Sequence, residues 1–372
     1  MAISEKKAEG INFWVPRIGK EECLLVNRVL KSNYLNDGNI THKFEQELAG
    51  LLGCRYVVAV TSGTAALFLS LAGLGIGLGD EVVVPDISFI AAANAVTLTG
   101  AKVVLSDIDY RTLNIDPQAF ASVITSRTKA VIPVHVSGRA ADLKAIMRIA
   151  GEKGISVVED AAEAFMSRLN GRCLGTFGKT GCFSFSPNKI ITTGQGGAVI
   201  TNDKKLHIRL RELKDQGRPR RGSGGADIHN AVGYNFKFTD LQAAVGLGQL
   251  SLLSRRLKKM KRICDIYRKE LNGLKQISLL PFNTAKGESP QWVDALAEDR
   301  DDLYRYLLRK RINCRKFWYP LHTQLPYRQD DGRFPVSSKL NKKAIWFPSA
   351  FTLTDTGIKY VCSQIKLFYS SR

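Results

Sequence analysis

Between residues 56 and 201, short apolar runs alternate with stretches of helical pattern, and this alternation constrains the fold more than any other feature of the chain. The runs are YVVAV (56–60), EVVVPD (81–86), KVVLSDID (102–109), AVIPVHV (130–136), ISVVED (155–160), GCFSFS (181–186) and GAVIT (197–201). Most are rich in Val and Ile and nearly apolar throughout, the pattern of strands covered on both faces. Between several of them lie helical patterns: TAALFLSLAGL (64–74), FIAAANAVTLTG (89–100) and DLKAIMRIAGEKG (142–154). The last starts on Asp and ends on Gly, as a capped helix does. Strand and helix in alternation predict an α/β fold with a mainly parallel seven-stranded sheet flanked by helices. The site of such a fold opens at the carboxyl ends of the strands.

The character changes after about residue 240. A long helical pattern runs over 239–274, followed by a polar stretch with Pro and Gly (281–290) and two further helical patterns, RDDLYRYLLRKR (300–311) and TDTGIKYVCSQIKLFY (354–369). At 372 residues the chain exceeds what one core usually serves. The expectation is a large domain over 1–245 and a smaller α+β domain over 246–372, with the N-terminal segment packing near the smaller one. No run of about 18 apolar residues is present, and the opening MAISEKKAEG has no apolar stretch of leader length behind it. A cytoplasmic protein with no membrane partner is expected.

Lys plus Arg number 54 against 34 Asp plus Glu, a formal charge of +20. Such an excess favours polyanionic partners: nucleic acid, anionic membrane or phosphorylated small molecules. The stretches RRLKKMKR (255–262) and RKRINCRK (309–316) read as solvated helix faces. GRPRRG (217–222), which includes Arg218, is a loop by its Gly and Pro, and suits a diphosphate as well as plain solvation. The seven cysteines contain no CxxC pair and the five histidines no HExxH spacing, so reduced packing cysteines and no metal are expected. A nucleophile elbow, a phosphate-binding P-loop and a dinucleotide fingerprint are all lacking.

Three weak signals remain. Thr61-Ser62-Gly63-Thr64 follows a strand and opens a helix, where backbone amides and hydroxyls can bind a phosphate or simply cap the helix. Asp160 closes the run ISVVED at the sheet's carboxyl edge, as a partner for a protonated ring nitrogen or as another cap. Lys189 follows GCFSFSPN and precedes the Gly-rich GQGG, a setting for a Schiff-base lysine or for a solvated one.

Their order makes the signal strong. The chain resembles the nucleotide-sugar aminotransferases, pyridoxal-phosphate (PLP) enzymes of fold type I, the aspartate-aminotransferase fold. The likeness extends over FEQELAGLLG (44–53), TSGTAAL (61–67), GDEVVVPDISF (79–89), RTKAVIPVHVSGR (127–139), VVEDAAEA (157–164) and GTFGKTGCFSFSPNKIITTGQGG (175–197). It continues through NAVGYNFKFTDLQAAVGLGQL (230–250), FWYPLHTQLPY (317–327) and a C-terminal WFPSAFTLTDTGIKYVCSQIKLFY (346–369).

The resemblance implies roles residue by residue. Lys189 holds PLP covalently and shuttles the proton, and Asp160 keeps the ring nitrogen protonated. Phe89 stacks on the ring, and Gly63, Thr64 and Ser184 bind the phosphate. Asn235 of the GYN motif reaches the phosphate of a neighbouring subunit, which implies a homodimer with shared sites. His322 of the YPLH motif lies near the sugar or its diphosphate, and the basic loop adds Arg218 as a second candidate for binding substrate. Two positions depart from the common pattern: Glu163 replaces a Gln that binds the cofactor's phenolic oxygen, and Gln195 stands where GEGG is usual. Lys189 also separates transamination from the related sugar dehydratases, which carry His there. The implied reaction moves an amino group from an amino acid, L-glutamate first, to a nucleotide-linked 4-keto-6-deoxyhexose, with members making perosamine the nearest likeness. The alternatives are a PLP-dependent sugar dehydratase and a basic DNA-binding regulator on an aminotransferase fold. The regulator rests on charge alone, without any nucleic-acid motif, so no nucleic-acid partner is expected.

Overall fold

In the computed structural model, which describes residues 10–219 and 227–371, all seven apolar runs are strands of one sheet. Helices α1 (Lys20–Ser32) and α2 (Asn39–Leu52) precede the first strand, β1 (Tyr56–Val60). Then come α3 (Gly63–Gly73), β2 (Glu81–Pro85), α4 (Ala91–Leu98) and β3 (Lys102–Ser106). They are followed by α5 (Pro117–Ser122), β4 (Thr128–Val131), α6 (Leu143–Lys153) and β5 (Ser156–Asp160). A small hairpin, β6 (Arg168–Leu169) with β7 (Arg172–Cys173), leads to β8 (Thr180–Ser184), β9 (Gly197–Thr201) and α7 (Lys204–Lys214).

The sheet order is β1-β9-β8-β5-β4-β2-β3, parallel except that β9 runs antiparallel to both neighbours. The strands are apolar on both faces because each face carries its own core. Val58 and Val60 pack into one cluster with Leu67, Leu69 and Leu71 of α3, whereas Val57 and Ala59 join the opposite cluster with Phe44 and Phe183. That two-residue alternation is the pleat of the strand. Helix α6 has the caps its sequence announces: the Asp142 carboxylate accepts from the Ala145 amide at 3.1 Å, and Gly154 takes the left-handed conformation at φ 67°.

The remaining elements are α8 (Asp240–Ser251), α9 (Leu253–Glu270), β10 (Ile277–Leu279), β11 (Val293–Ala297) and α10 (Arg300–Arg309). Beyond them lie β12 (Arg315–Lys316), α11 (Pro335–Asn341), β13 (Ala344–Phe347) and α12 (Asp355–Ser370). The four strands form an antiparallel sheet in the order β10-β11-β13-β12.

Here the sequence reading needs corrections. The single helix expected over 239–274 is two helices that break at Leu252 and end at Glu270. The cause is a change of partner. Helix α8 packs on α1 and α2, pinned by Gly246 and Gly248, where an added Cβ would lie 2.6 Å from the Phe44 ring and 2.7 Å from Glu22 Cγ; α9 packs on α12. The basic run 309–316 is not a helix face, because α10 stops at Arg309 and Arg315–Lys316 is a strand. Arg256 of the run 255–262 is buried, its guanidinium bonded to the carbonyls of Ile190 and Arg17. Five of the seven cysteines are buried packing residues, but Cys23 is exposed and Cys54 half-buried.

The proposed boundary at 245/246 falls inside α8, and one apolar cluster runs across it from Phe44 and Phe238 to Met260, Ile345 and Phe347. Near the amino terminus, Ile11 bridges to Ile312, and the Phe13 ring lies 5.8 Å from Trp292 and 6.3 Å from Trp346. Among the described residues, no helix is long and apolar enough to cross a membrane.

Candidate active site

Chain segments leaving β1, β2, β4, β5 and β8, with the segment entering β9, surround a cavity of about 280 Å³. It is lined by seven of the expected site residues: Gly63, Thr64, Phe89, Asp160, Glu163, Ser184 and Lys189.

One end is built for an anion. Ser62 caps α3 by accepting from the Ala65 amide at 3.1 Å, while the first-turn residues Gly63 and Thr64 line the cavity. Amides at a helix start have no acceptor within the helix and carry the positive end of its dipole. Across from them stand two hydroxyls, Ser184 and Ser186, with their oxygens 3.0 Å apart. The Ser186 hydroxyl also donates to Gln195 Oε1 at 3.4 Å, so the unusual glutamine borders the same anion end.

The floor comes from β5, whose last two carboxylates point to opposite faces as a strand requires. Glu159 is structural: it accepts the amides of Gly175, Phe177 and Gly178 at 2.6–2.8 Å and pairs with His135 Nε2 at 3.0 Å. His135 Nδ1 accepts the Ala141 amide at 3.2 Å, which places the imidazole proton on Nε2. Asp160 lines the cavity instead, its Oδ1 accepting from the Ala162 amide at 3.0 Å. Burial pushes this carboxyl above its ordinary value, and the Ala162 amide and the Lys189 charge draw it back.

Lys189 rises from the segment after β8, which is tied down by Trp14 Nε1 donating to the Pro187 carbonyl and Gln291 Nε2 to the Asn188 carbonyl, each at 2.9 Å. The lysine Nζ donates to Glu163 Oε1 at 3.4 Å and lies 5.2 Å from the centre of the Trp292 ring. Glu163 Oε2 accepts the Ser137 amide at 3.0 Å. Burial raises the Glu163 carboxyl as well, and the lysine charge opposes the shift.

PLP, the group that the resemblance implies, matches this donor set. Its phosphate suits the helix start and paired hydroxyls. Its ring nitrogen, once protonated, suits the buried Asp160, whose carboxylate accepts the Ala162 amide. A Cβ on Gly63 would lie 2.9 Å from the Ser184 Cβ, so the cradle at the anion end is closed to any larger residue.

Three expected site residues lie outside the cavity lining. His322 is fully buried, its Nδ1 2.6 Å from Asp86 and its Nε2 3.0 Å from Asp331, with its ring stacked on Phe334. Arg218 pairs with Asp215 and Asp227, at 3.3 and 2.8 Å. Arg220 and Arg221 of the same loop fall outside the described residues. Asn235 is exposed and bridges to Asp215. Conversely, Trp292, Arg315 and Trp318 line the cavity without having been singled out. Arg315 lay hidden in a charge run, and the tryptophans carry no spacing signal.

The DegT/DnrJ/EryC1/StrS aminotransferase family matches residues 16–366. A GDP-perosamine synthase of Escherichia coli O157:H7 is 36% identical over 370 residues, covering 97% of this chain and 99% of the relative. A dTDP-4-dehydro-2,3,6-trideoxy-D-glucose 4-aminotransferase of Saccharopolyspora spinosa is 33% identical, covering 96% of each chain. Among solved structures, Spr1654 of Streptococcus pneumoniae, known in PLP and PMP forms, superposes with a TM-score of 0.92 at 26% identity, covering 97% of this chain and 99% of that one.

Proposed function

This chain belongs to the DegT/DnrJ/EryC1/StrS aminotransferase family of PLP-dependent sugar aminotransferases, and we propose that it aminates the 4-keto group of a nucleotide-linked 6-deoxyhexose with L-glutamate as donor. A GDP-linked sugar on the way to perosamine is the first candidate, because relatives of that name align with 97% of the chain at 32–36% identity. Within the site, the observation that carries an amino-transfer reading is the free amine of Lys189 beside the buried carboxyls of Glu163 and Asp160.

PLP, when bound, supplies a carbonyl that condenses with amines and a ring that accepts the electron pair of a broken C–H bond. The chain does the rest. Gly63, Thr64, Ser184 and Ser186 hold the phosphate, fixing the ring's position. Asp160 holds the proton on the ring nitrogen, and its burial makes that interaction strong. Phe89, half exposed at the cavity mouth, covers the ring face and limits water. The Lys189 amine would carry a proton between the reacting carbons. Arg315 and Trp318 stand at the mouth, where a cation and an aromatic face suit a sugar diphosphate.

The active unit of this reading is a homodimer in which Asn235 serves the neighbouring subunit's cavity. Asn235 is exposed on its own chain, as a residue that reaches a partner's site must be. The test is product mass spectrometry with glutamate and a panel of GDP-, UDP- and dTDP-linked keto sugars. A mass increase matching one amino group for one carbonyl oxygen, strongest for a GDP-linked 4-keto sugar, is expected. Loss of water from the sugar without nitrogen uptake would instead make the protein a dehydratase.

A further inference from the structure

We propose that Glu163 is the charged partner of Lys189 whenever the lysine amine is not bonded to the cofactor, and that Ser137 and Asp294 are positioning residues that hold this carboxylate from the second sheet. The inference rests on the cofactor reading of Lys189 and adds to it a device for the half of the cycle in which the amine is free.

The contacts form one buried chain. Lys189 Nζ donates to Glu163 Oε1 at 3.4 Å, and the Ser137 amide donates to Glu163 Oε2 at 3.0 Å. The Ser137 hydroxyl donates to Asp294 Oδ1 at 2.9 Å, and Asp294 in turn pairs with Arg139. Trp346 Nε1 donates to the same hydroxyl at 3.4 Å. Asp294 belongs to β11 and Trp346 to β13, so the chain of contacts joins the second sheet to the lysine. Its exposures are 12% for the Lys189 side chain, 5% for Glu163, 0% for Ser137 and 1% for Asp294.

Ser137 takes a left-handed conformation, φ 53° and ψ 16°, and Gly138 follows at φ 99°. A non-glycine residue persists there only where its surroundings hold it. Its hydroxyl is held by Asp294 and Trp346 and its carbonyl by the Gln291 amide at 2.8 Å, and in this conformation the Ser137 amide faces Glu163. At position 138 a side chain is excluded, because a Cβ would lie 2.1 Å from the Ser289 carbonyl oxygen.

A neutral amide at position 163 could accept only one of these two hydrogen bonds, because its nitrogen donates. The carboxylate accepts both and also carries charge, and a buried charge is costly unless a cation answers it. Several charged groups face Glu163. Burial is the main cause of the raised Glu163 carboxyl, Lys189 and the Ser137 amide draw it down, and the anions Asp294 from β11 and Asp160 from β5 add smaller upward pushes. Arg139 is turned to Asp294, and Arg315 stands at the cavity mouth. His135 donates to Glu159 on the opposite face of β5. Lys189 is therefore the cation in contact with Glu163. An adjacent anion attracts the lysine cation and holds the released side chain in place.

The test uses holoenzyme reconstituted with pyridoxamine phosphate, which leaves the lysine amine free. Labelling by 2,4,6-trinitrobenzenesulfonate is followed against pH, reading the Lys189 peptide by mass spectrometry. In Glu163→Gln the labelling profile should move at least one unit toward lower pH, making Lys189 about tenfold more reactive near pH 7.5. Ser137→Ala should move it the same way by less, and Glu163→Asp, which keeps the charge, should return it toward the parent. Lys214, buried and paired with Asp37, is the internal control. Profiles in Glu163→Gln and Ser137→Ala that superimpose on the parent overturn the proposal, and so does a rise shared equally by Lys214. No sugar or amino donor enters the experiment. A failure of the cofactor reading would show separately, as parent protein that gains no visible absorbance with PLP.

Discussion

Gly63 and Ser184 meet so closely that a Cβ on Gly63 would lie 2.9 Å from the Ser184 Cβ and 3.3 Å from its hydroxyl oxygen. The contact joins the start of α3 to the end of β8 at the anion end of the cavity. Gly63→Ala must push one of them back. Overpacking of this kind costs about 1–3 kcal/mol, so PLP affinity should fall about tenfold or more while the cofactor-free fold survives. An absorbance titration of apoprotein with PLP measures it; unchanged affinity would mean that the phosphate sits elsewhere.

Lys189→Ala should abolish the visible absorbance of the lysine-bound cofactor and all multiple turnover. The phosphate cradle and Asp160 remain, so PLP should still bind and be removable by dialysis. Turnover near that of the parent protein would move the catalytic lysine to another position.

Asp160→Asn should act in opposite directions with and without cofactor. In the cofactor-free protein, burial raises the Asp160 carboxyl above its unfolded value, near pH 4. Between those two values the folded state holds more protons than the unfolded state, so stability falls as pH rises through that window. Asn has no proton to lose. The cofactor-free variant should therefore melt a few degrees above its parent at about pH 8, with the gap closing toward about pH 4. With PLP present the parent should regain the advantage, and the variant should lose rate in both half-reactions. Melting curves at several pH values decide the first claim, and stopped-flow absorbance the second.

The shared-site reading predicts complementation. Lys189→Ala subunits and Asn235→Asp subunits should each be nearly inactive, since an added carboxylate would repel a phosphate dianion. In a mixed dimer, one site would carry both defects and the other neither. Activity should return after subunit exchange. Mixed dimers that form and stay inactive would assign Asn235 to its own subunit.

The large sheet was legible because strands buried on both faces leave unbroken apolar runs, and each of the seven runs became a strand. The smaller part was legible as α+β, but the strands of its sheet were not. Its β12 is two residues long inside a basic run, and β11 carries Asp294, whose buried charge makes sense only beside Arg139 from a distant segment. Asp160, the last residue of a strand, and Lys189, a few residues past one, stood out by position only as weak signals, which the family resemblance joined. Trp292 did not, because its role comes from lying under the lysine and against Phe13 and Trp346, contacts that no local spacing records. The break at Leu252 was equally invisible, since helix propensity continues while the packing partner changes.

The seating of β9 between β1 and β8 has a consequence for biosynthesis. Val60, two residues before the Ser62 cap of α3, pairs with Gly197, and among the described residues β9 is the one neighbour of β1 in the sheet. The strand made first thus waits for the strand made last. Until the ribosome has released the chain past Thr201, β1 has no ladder to join and the turn behind it no fixed wall. Contacts so far apart along the chain form slowly, because a long loop must close first. The nascent protein therefore gains its sheet edge and its cofactor cradle in a single late step, and a growing chain short of that length should neither resist protease across residues 56–60 nor retain PLP.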